Sequence, residues 1–291
     1  MKTLRRSMIL TALILAASVQ LASPQSLGPG QLNKASSTSP ILLGTTGACN
    51  NVVPGGPCTQ QSTLVQLDPQ TGALIKTIGP VGFTVNGLAW DRTSGTLYAS
   101  TAIGDVNFHG LITINTKKGT GTPVNRNAIN FGLAGDPSPV HSITIDVFGH
   151  MVGWYDEFPP PDTYVRIDQS TGVATEFPGT GINTSQNGVS FGEFNLLWNI
   201  DAPRTQLDGS VTQTAYILNP FDGKPLFSKR LNPPTAAALG DFHPGTNLYY
   251  GLNFPIPRSP ETSIVVVDLL EGTVTPLGPT VDDLHTLAFI P

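Results

Sequence analysis

The chain has 291 residues, 39% hydrophobic and only 12% charged, and its 31 glycines and 26 prolines make up about a fifth of it against a usual eighth. Such a composition excludes long helices and coiled coils, supplies enough apolar material for a core, and carries too little charge repulsion to keep the chain unfolded. With 15 basic against 20 acidic side chains the net charge is −5, which disfavours phosphate-backbone recognition and so a nucleic-acid partner.

In chain order, the first element is an address. Residues 2–6 (KTLRR) are basic, residues 8–17 (MILTALILAA) form an unbroken apolar run, and small residues follow. This predicts a signal peptide over residues 1–23, too short to span a bilayer, and hence a secreted or periplasmic protein with no membrane span after cleavage. Removing Lys2, Arg5 and Arg6 takes the net charge of the remainder to −8. Residues 24–40 are rich in Ser, Gly and Pro and predict a flexible leader, which leaves residues 41–291 as a single domain. The only cysteines, Cys49 and Cys58, lie in CNNVVPGGPC. In an exported chain, with no C-x-x-C spacing and no neighbouring His, they predict a local disulfide that stiffens one loop.

From there the chain repeats. A β-rich run ends in Asp or Asn and a turn ends in Gly: LVQLDPQTG (64–72), LITINTKKG (111–119), YVRIDQSTG (164–172), AYILNPFDG (215–223) and IVVVDLLEG (264–272). The Asp/Asn positions, 68, 115, 168, 219 and 268, are 47, 53, 51 and 49 residues apart. Between them lie strand–turn–strand phrases beginning at Asn86, His141, Asn187 and Ala237. A fifth is split across the termini, with LHTLAFIP (284–291) as its first strand and ILLGTTG (41–47) as its second. Repeats of this length with four strands each predict an all-β protein, a β-propeller of five four-stranded blades closed by the C-terminal strand, with six blades as the alternative count. Asp68, Asp168 and Asp268 are expected to fix turns through side-chain to backbone hydrogen bonds.

The phrases NGLAWDRTSGTLYA and LVQLDPQTG resemble secreted bacterial propellers of the WD40/YVTN/NHL-like type, and NGLAW is similar to the gluconolactonase and regucalcin-like group. In that group an Asn at the start of such a strand helps hold a divalent cation at the channel mouth, and Asn86 and Asn187 match it. The group has six blades and places a Glu and an Asp at other inner-strand starts, where this chain has His and Ala.

Propeller geometry sorts the loops. Turns between first and second and between third and fourth strands emerge on one face and are short and stereotyped; the other face carries longer, mutually different connections. That long-loop face gathers Asp105, Asp156, Glu157, Asp162, Asp201, Asp208 and Glu261 with Phe108, His109, Tyr155, Phe158 and Phe254, a set suited to a sugar, a cation or a basic peptide and equally to solvated loops. The first positions of the inner strands, Asn86, His141, Asn187 and His285, are expected to form a polar ring at the channel mouth on this face, with Asp282 and Asp283 beside His285. Such a ring lines a hydrated channel or holds a divalent cation, Ca2+ or Zn2+. His109, His150 and His243 are expected to be solvated, and a Ser-His-Asp hydrolase is not expected, on the reading that a G-x-S-x-G nucleophile motif is absent. The expected function is a monomeric, non-catalytic propeller that binds a protein, glycan or small molecule through its long-loop face. The alternative is a metal-assisted hydrolase or lactonase at the ring.

Overall fold

The computed structural model describes residues 39–47, 60–102, 105, 107–133, 140–155, 161–184, 188–234, 238–253 and 261–291, with the side chains of Tyr155 and Ala238 left aside. The predicted signal peptide, the leader as far as residue 38, Cys49, Cys58 and Asn187 therefore lie outside the described residues.

Strands β1 (Ile41–Thr46), β2 (Thr63–Leu67) and β3 (Leu74–Pro80) come first. They are followed by β4 (Val85–Asp91), β5 (Thr96–Thr101), β6 (Leu111–Ile114) and β7 (Gly121–Pro123), and then by β8 (Ser142–Ile145), β9 (Met151–Tyr155), β10 (Thr163–Ile167) and β11 (Ala174–Phe177). Next come β12 (Gly188–Phe191), β13 (Leu197–Ile200), the short pair β14 (Arg204–Thr205) and β15 (Val211–Thr212), β16 (Thr214–Leu218) and β17 (Pro225–Arg230). The chain ends with β18 (Ala238–Phe242), β19 (Tyr249–Asn253), β20 (Ser263–Asp268), β21 (Thr273–Pro279) and β22 (Leu284–Ile290).

These strands form five four-stranded antiparallel sheets, in the orders β22-β1-β2-β3, β4-β5-β6-β7, β8-β9-β10-β11, β12-β13-β16-β17 and β18-β19-β20-β21. This is the five-bladed propeller that the repeat predicts. The first blade is completed by the end of the chain, with Ile41 opposite Ile290 and Gly44 opposite Leu287. Innermost strands touch in the cycle β22, β4, β8, β12, β18 and back to β22, so the ring is closed.

The packing follows from strand alternation. Successive side chains on a strand face opposite sides of a blade, and so opposite neighbours. Leu43 of β1 packs with Leu88, Leu97 and Ile112 of the second blade, while the adjacent Leu42 packs with Leu252 and Ile264 of the fifth. Each of the five hydrophobic clusters occupies one junction: Ile143 and Val165 meet Ala89 and Leu111, Trp154 and Tyr164 meet Val189 and Leu218, and Trp198 meets Phe242 and Tyr249.

The recurring Asp/Asn turns are built alike. The backbone N–H of Gln70, Ser170 and Leu270 donates to the side chains of Asp68, Asp168 and Asp268 at 2.8, 2.8 and 3.0 Å, and Asn115 and Asn219 hold Lys117 and Phe221 in the same way. The closing glycine of each turn has φ between 69° and 82°, the left-handed region where a Cβ is strained. Inner-strand edges are tied across blades by side chains. Ser142 Oγ accepts from the N–H of Val189 at 3.0 Å, Thr144 Oγ1 from Phe191 at 3.2 Å, and Asp241 Oδ2 from Phe289 at 2.9 Å. These bonds join equivalent levels of neighbouring strands, so the inner strands run in parallel around the axis.

Candidate functional site

At the long-loop mouth, Asn86 and His285 share a local cause. In β4 the register passes from Val85 opposite Thr101 to Gly87 opposite Ser100, and in β22 from Leu284 opposite Thr46 to Thr286 opposite Thr45. Asn86 and His285 are thus the extra residues of two equivalent β-bulges, a device that re-aims a side chain. Asn86 is buried and His285 half-buried. His141 precedes β8 and its N–H donates to the carbonyl of Trp154 at 3.0 Å. Burial pushes its imidazole down to about 4, so it is neutral at pH 7. The starts of β4 and β8 adjoin, since a Cβ built on Gly87 would stand 3.1 Å from the His141 carbonyl oxygen. Asp283, with φ of 54°, accepts the Gly47 N–H at its carbonyl, while the side chain of Asp282 is exposed. Among the described residues no three His, Cys, Asp or Glu side chains stand close enough together to hold a metal ion.

The acidic residues of this face brace loops. Asp105 accepts the N–H groups of Thr84, Asn107 and Phe108, the last two at 2.7 and 3.1 Å. Asp162, fully buried, accepts from Trp154 Nε1 at 3.2 Å and from the N–H and hydroxyl of Thr184 at 2.6 and 2.5 Å. Asp201 pairs with Arg204 at 2.8 Å, and Arg204 also reaches the carbonyl of Asn183 at 2.6 Å. That pair fixes the root of the β14–β15 hairpin, whose tip is turned by Asp208 bonded to Ser210 and presents a fully exposed Leu207. The sequence marked this stretch only as a long connection, because two-residue strands leave no periodic signal. Asp156, Glu157, Phe158 and Phe254 lie outside the described residues.

Two of the histidines expected in solvent are packed. Burial pushes His109 down to about 4, against the opposing pull of Asp105, and its Nε2 is buried without a hydrogen-bond partner. His243 stacks on Tyr250 at 5.9 Å and meets Phe289 edge-on at 5.0 Å. Only His150 is solvated as expected, 77% exposed beside Asp146 at 3.0 Å.

The opposite mouth, ringed by the short turns, holds a cavity of about 140 Å3 that the sequence did not announce. Its walls come from all five blades and include Arg92, Asp146, Ser190, Asp241, His243 and Phe289. Asp241 occupies the inner-strand level held elsewhere by Ala89, Thr144, Ser190 and Ala288, as the pairings with Tyr250, Tyr98, Val152, Trp198 and Leu43 show. Its Oδ1 accepts from Ser190 Oγ and from the Phe242 N–H, both at 2.8 Å, and its Oδ2 from the Phe289 N–H at 2.9 Å. Although the side chain retains some access to the cavity, loss of hydration pushes the carboxyl up, and these three bonds and the charge of Arg92 offset part of that rise.

Residues 188–192 spell G-x-S-x-G, which corrects the expectation that this motif is absent from the chain. Its catalytic use needs a sharp strand-to-helix turn that exposes the hydroxyl. Here Ser190 lies within β12, is buried, and spends its proton on Asp241.

No family model matches the chain, and no curated protein does either. Structural similarity is found with TolB from Acinetobacter baumannii, at TM-score 0.48 and 12% identity over 84% of this chain and 54% of that one. It extends to hydrazine synthase from Kuenenia stuttgartiensis, at 0.39 and 10% over 74% and 59%, and to an alpha-L-arabinofuranosidase from Clostridium thermocellum ATCC 27405, at 0.47 and 10% over 82% and 94%. The chain spans between half and two thirds of the length of the first two. None of these similarities bears on activity, and no family model supports the WD40/YVTN/NHL-like or gluconolactonase-like resemblance beyond the propeller fold itself.

Proposed function

We propose that this chain is an exported, non-catalytic binding propeller that engages a protein partner through its long-loop face. The observation that carries the reading is the braced β14–β15 hairpin, which rests on the Asp201–Arg204 pair and presents an exposed Leu207 on a loop of defined shape. A surface loop ordered before binding loses less conformational entropy when its partner arrives. The acidic side chains of this face support the same reading. Asp105, Asp162 and Asp201 are occupied in holding backbone and side-chain donors, which fixes the loops that carry this surface. The N-terminal address in the sequence supports export.

The test is a screen of the full chain against protein and glycan arrays, followed by replacement of residues 204–212 with a Gly-Gly link. Retention of a protein ligand that the replacement abolishes is the expected result. Binding that survives the replacement, or capture of glycans alone, would overturn the protein-docking reading. Added Ca2+ or Zn2+ is expected to leave the Tm unchanged; a rise that Asn86→Ala and His141→Ala remove would favour a cation at the ring and the metal-assisted hydrolase instead.

A further inference from the structure

The cavity at the short-turn mouth lies at the other end of the channel from the hairpin, so it is independent of the reading above. Its volume, about 140 Å3, far exceeds the roughly 15 Å3 of such space that admits one water. Besides Asp241, four charged or titratable groups line it from the elements packed around that residue. Arg92 comes from the β4–β5 turn, Asp146 from the end of β8, Glu193 from the turn after β12, and His243 from the turn after β18. Strand β22 contributes Phe289, which has no titratable group. Asp146 is already occupied by the backbone N–H groups of Phe148 and His150 and by the His150 ring. Asp241, in contrast, is held by neutral donors alone. No ion pair joins it to Arg92 among the described residues, although the two charges act on each other.

We propose that this mouth is a binding site for a small organic ammonium ion, with Asp241 as its counter-charge and Trp90, Phe191 and Phe289 as its aromatic walls. A carboxylate whose hydration is stripped and replaced only by neutral donors gains most from a ligand that brings a positive charge. An anionic ligand would meet three carboxylates against one guanidinium. A neutral polyol brings no charge and would relieve little of the cost of burying the Asp241 carboxylate. The aromatic side chains add the attraction of π-systems for alkylammonium groups. A metal ion is a poorer occupant, since no cluster of three ligating side chains is present among the described residues. Arg92, exposed at the rim, is the competitor that sets the affinity.

Calorimetric titration of the full chain with methylammonium and with choline, against acetate and methyl glucoside as controls, tests the site. Both ammonium ions are expected to bind and both controls to give no saturable signal. Because Arg92 repels the ligand through partly screened solvent, Arg92→Ala is expected to tighten ammonium binding about threefold, whereas Asp241→Asn is expected to weaken it more than tenfold with the Tm measured alongside. Should Asp241→Asn fail to fold, Arg92→Ala and Arg92→Glu decide alone, the latter giving the larger gain. The proposal is overturned if neither ammonium ion gives a saturable signal, if affinity is indifferent to Arg92, or if acetate binds and loses its hold in Arg92→Ala.

Discussion

Asp162 shows how a residue that composition assigns to a solvated acidic loop becomes a keystone. One carboxylate oxygen collects the Trp154 indole N–H and both donors of Thr184 inside a fully buried pocket. Asp162→Ala would strand those donors without water, so a loss of about 3 kcal/mol is expected in guanidinium unfolding. A change below 0.5 kcal/mol would mean that solvent reaches the site. His109 and His141 carry a second expectation. Both have native values near 4 against 6.5 in the unfolded chain, so between those limits the unfolded state takes up protons that the native state refuses. Their neutral burial is fully compatible with folding above pH 6.5, and stability falls as the pH drops through that value toward 4. The loss approaches roughly 3 kcal/mol per histidine once the pH is below both values. Asp241, pushed up by burial, works in the opposite sense above the ordinary carboxylate range. Comparing wild type with His141→Gln at pH 7, 5.5 and 4.5 isolates the histidine: the variant is expected to lose less stability on acidification, and parallel curves would contradict the assignment.

At the scale of elements, β22 carries more than its seven residues suggest. Ala288 belongs to the junction of the first and second blades, and Leu284, Leu287 and Phe289 to that of the fifth and first. Removing residues 284–291 therefore opens two junctions at once and bares the inner edge of β1. The expected outcome is loss of the cooperative thermal transition in near-UV circular dichroism; a truncated chain that still melts sharply would show that the ring does not depend on this clasp. The clasp was legible in LHTLAFIP and ILLGTTG because each is half of a phrase found whole four times elsewhere. The bulges at Asn86 and His285 were not, since a bulge exists only as a mismatch between two strands, and the flanking partners lie 13 to 16 residues away for Asn86 and at the other end of the chain for His285.

For the whole molecule, five apolar junctions arranged in a closed cycle make the chain ends interchangeable with any exposed turn. Ile41 and Ile290 are paired neighbours, so residues 39–291 joined end to end through a linker of about four residues and reopened between Asp208 and Gly209 should melt within a few degrees of the parent. A permutant that fails to fold would mean that closure at β1–β22 has to come last. Blade number, strand order and turn chemistry could be had from the sequence alone, because each is a local pattern copied five times: the alternation of apolar residues, the Asp or Asn four positions before a Gly, the even spacing. The cavity around Asp241, the packed states of His109 and His243, and the bracing roles of Asp162 and Asp201 were decided only by tertiary structure. The cavity depends on which side chains of neighbouring blades stand at the same level around the axis, a relation between residues some 50 positions apart that no single repeat contains. The contacts of Asp162 and Asp201 span only 3 to 22 positions, but they lie in connections that differ from blade to blade, so no repeated pattern announces them.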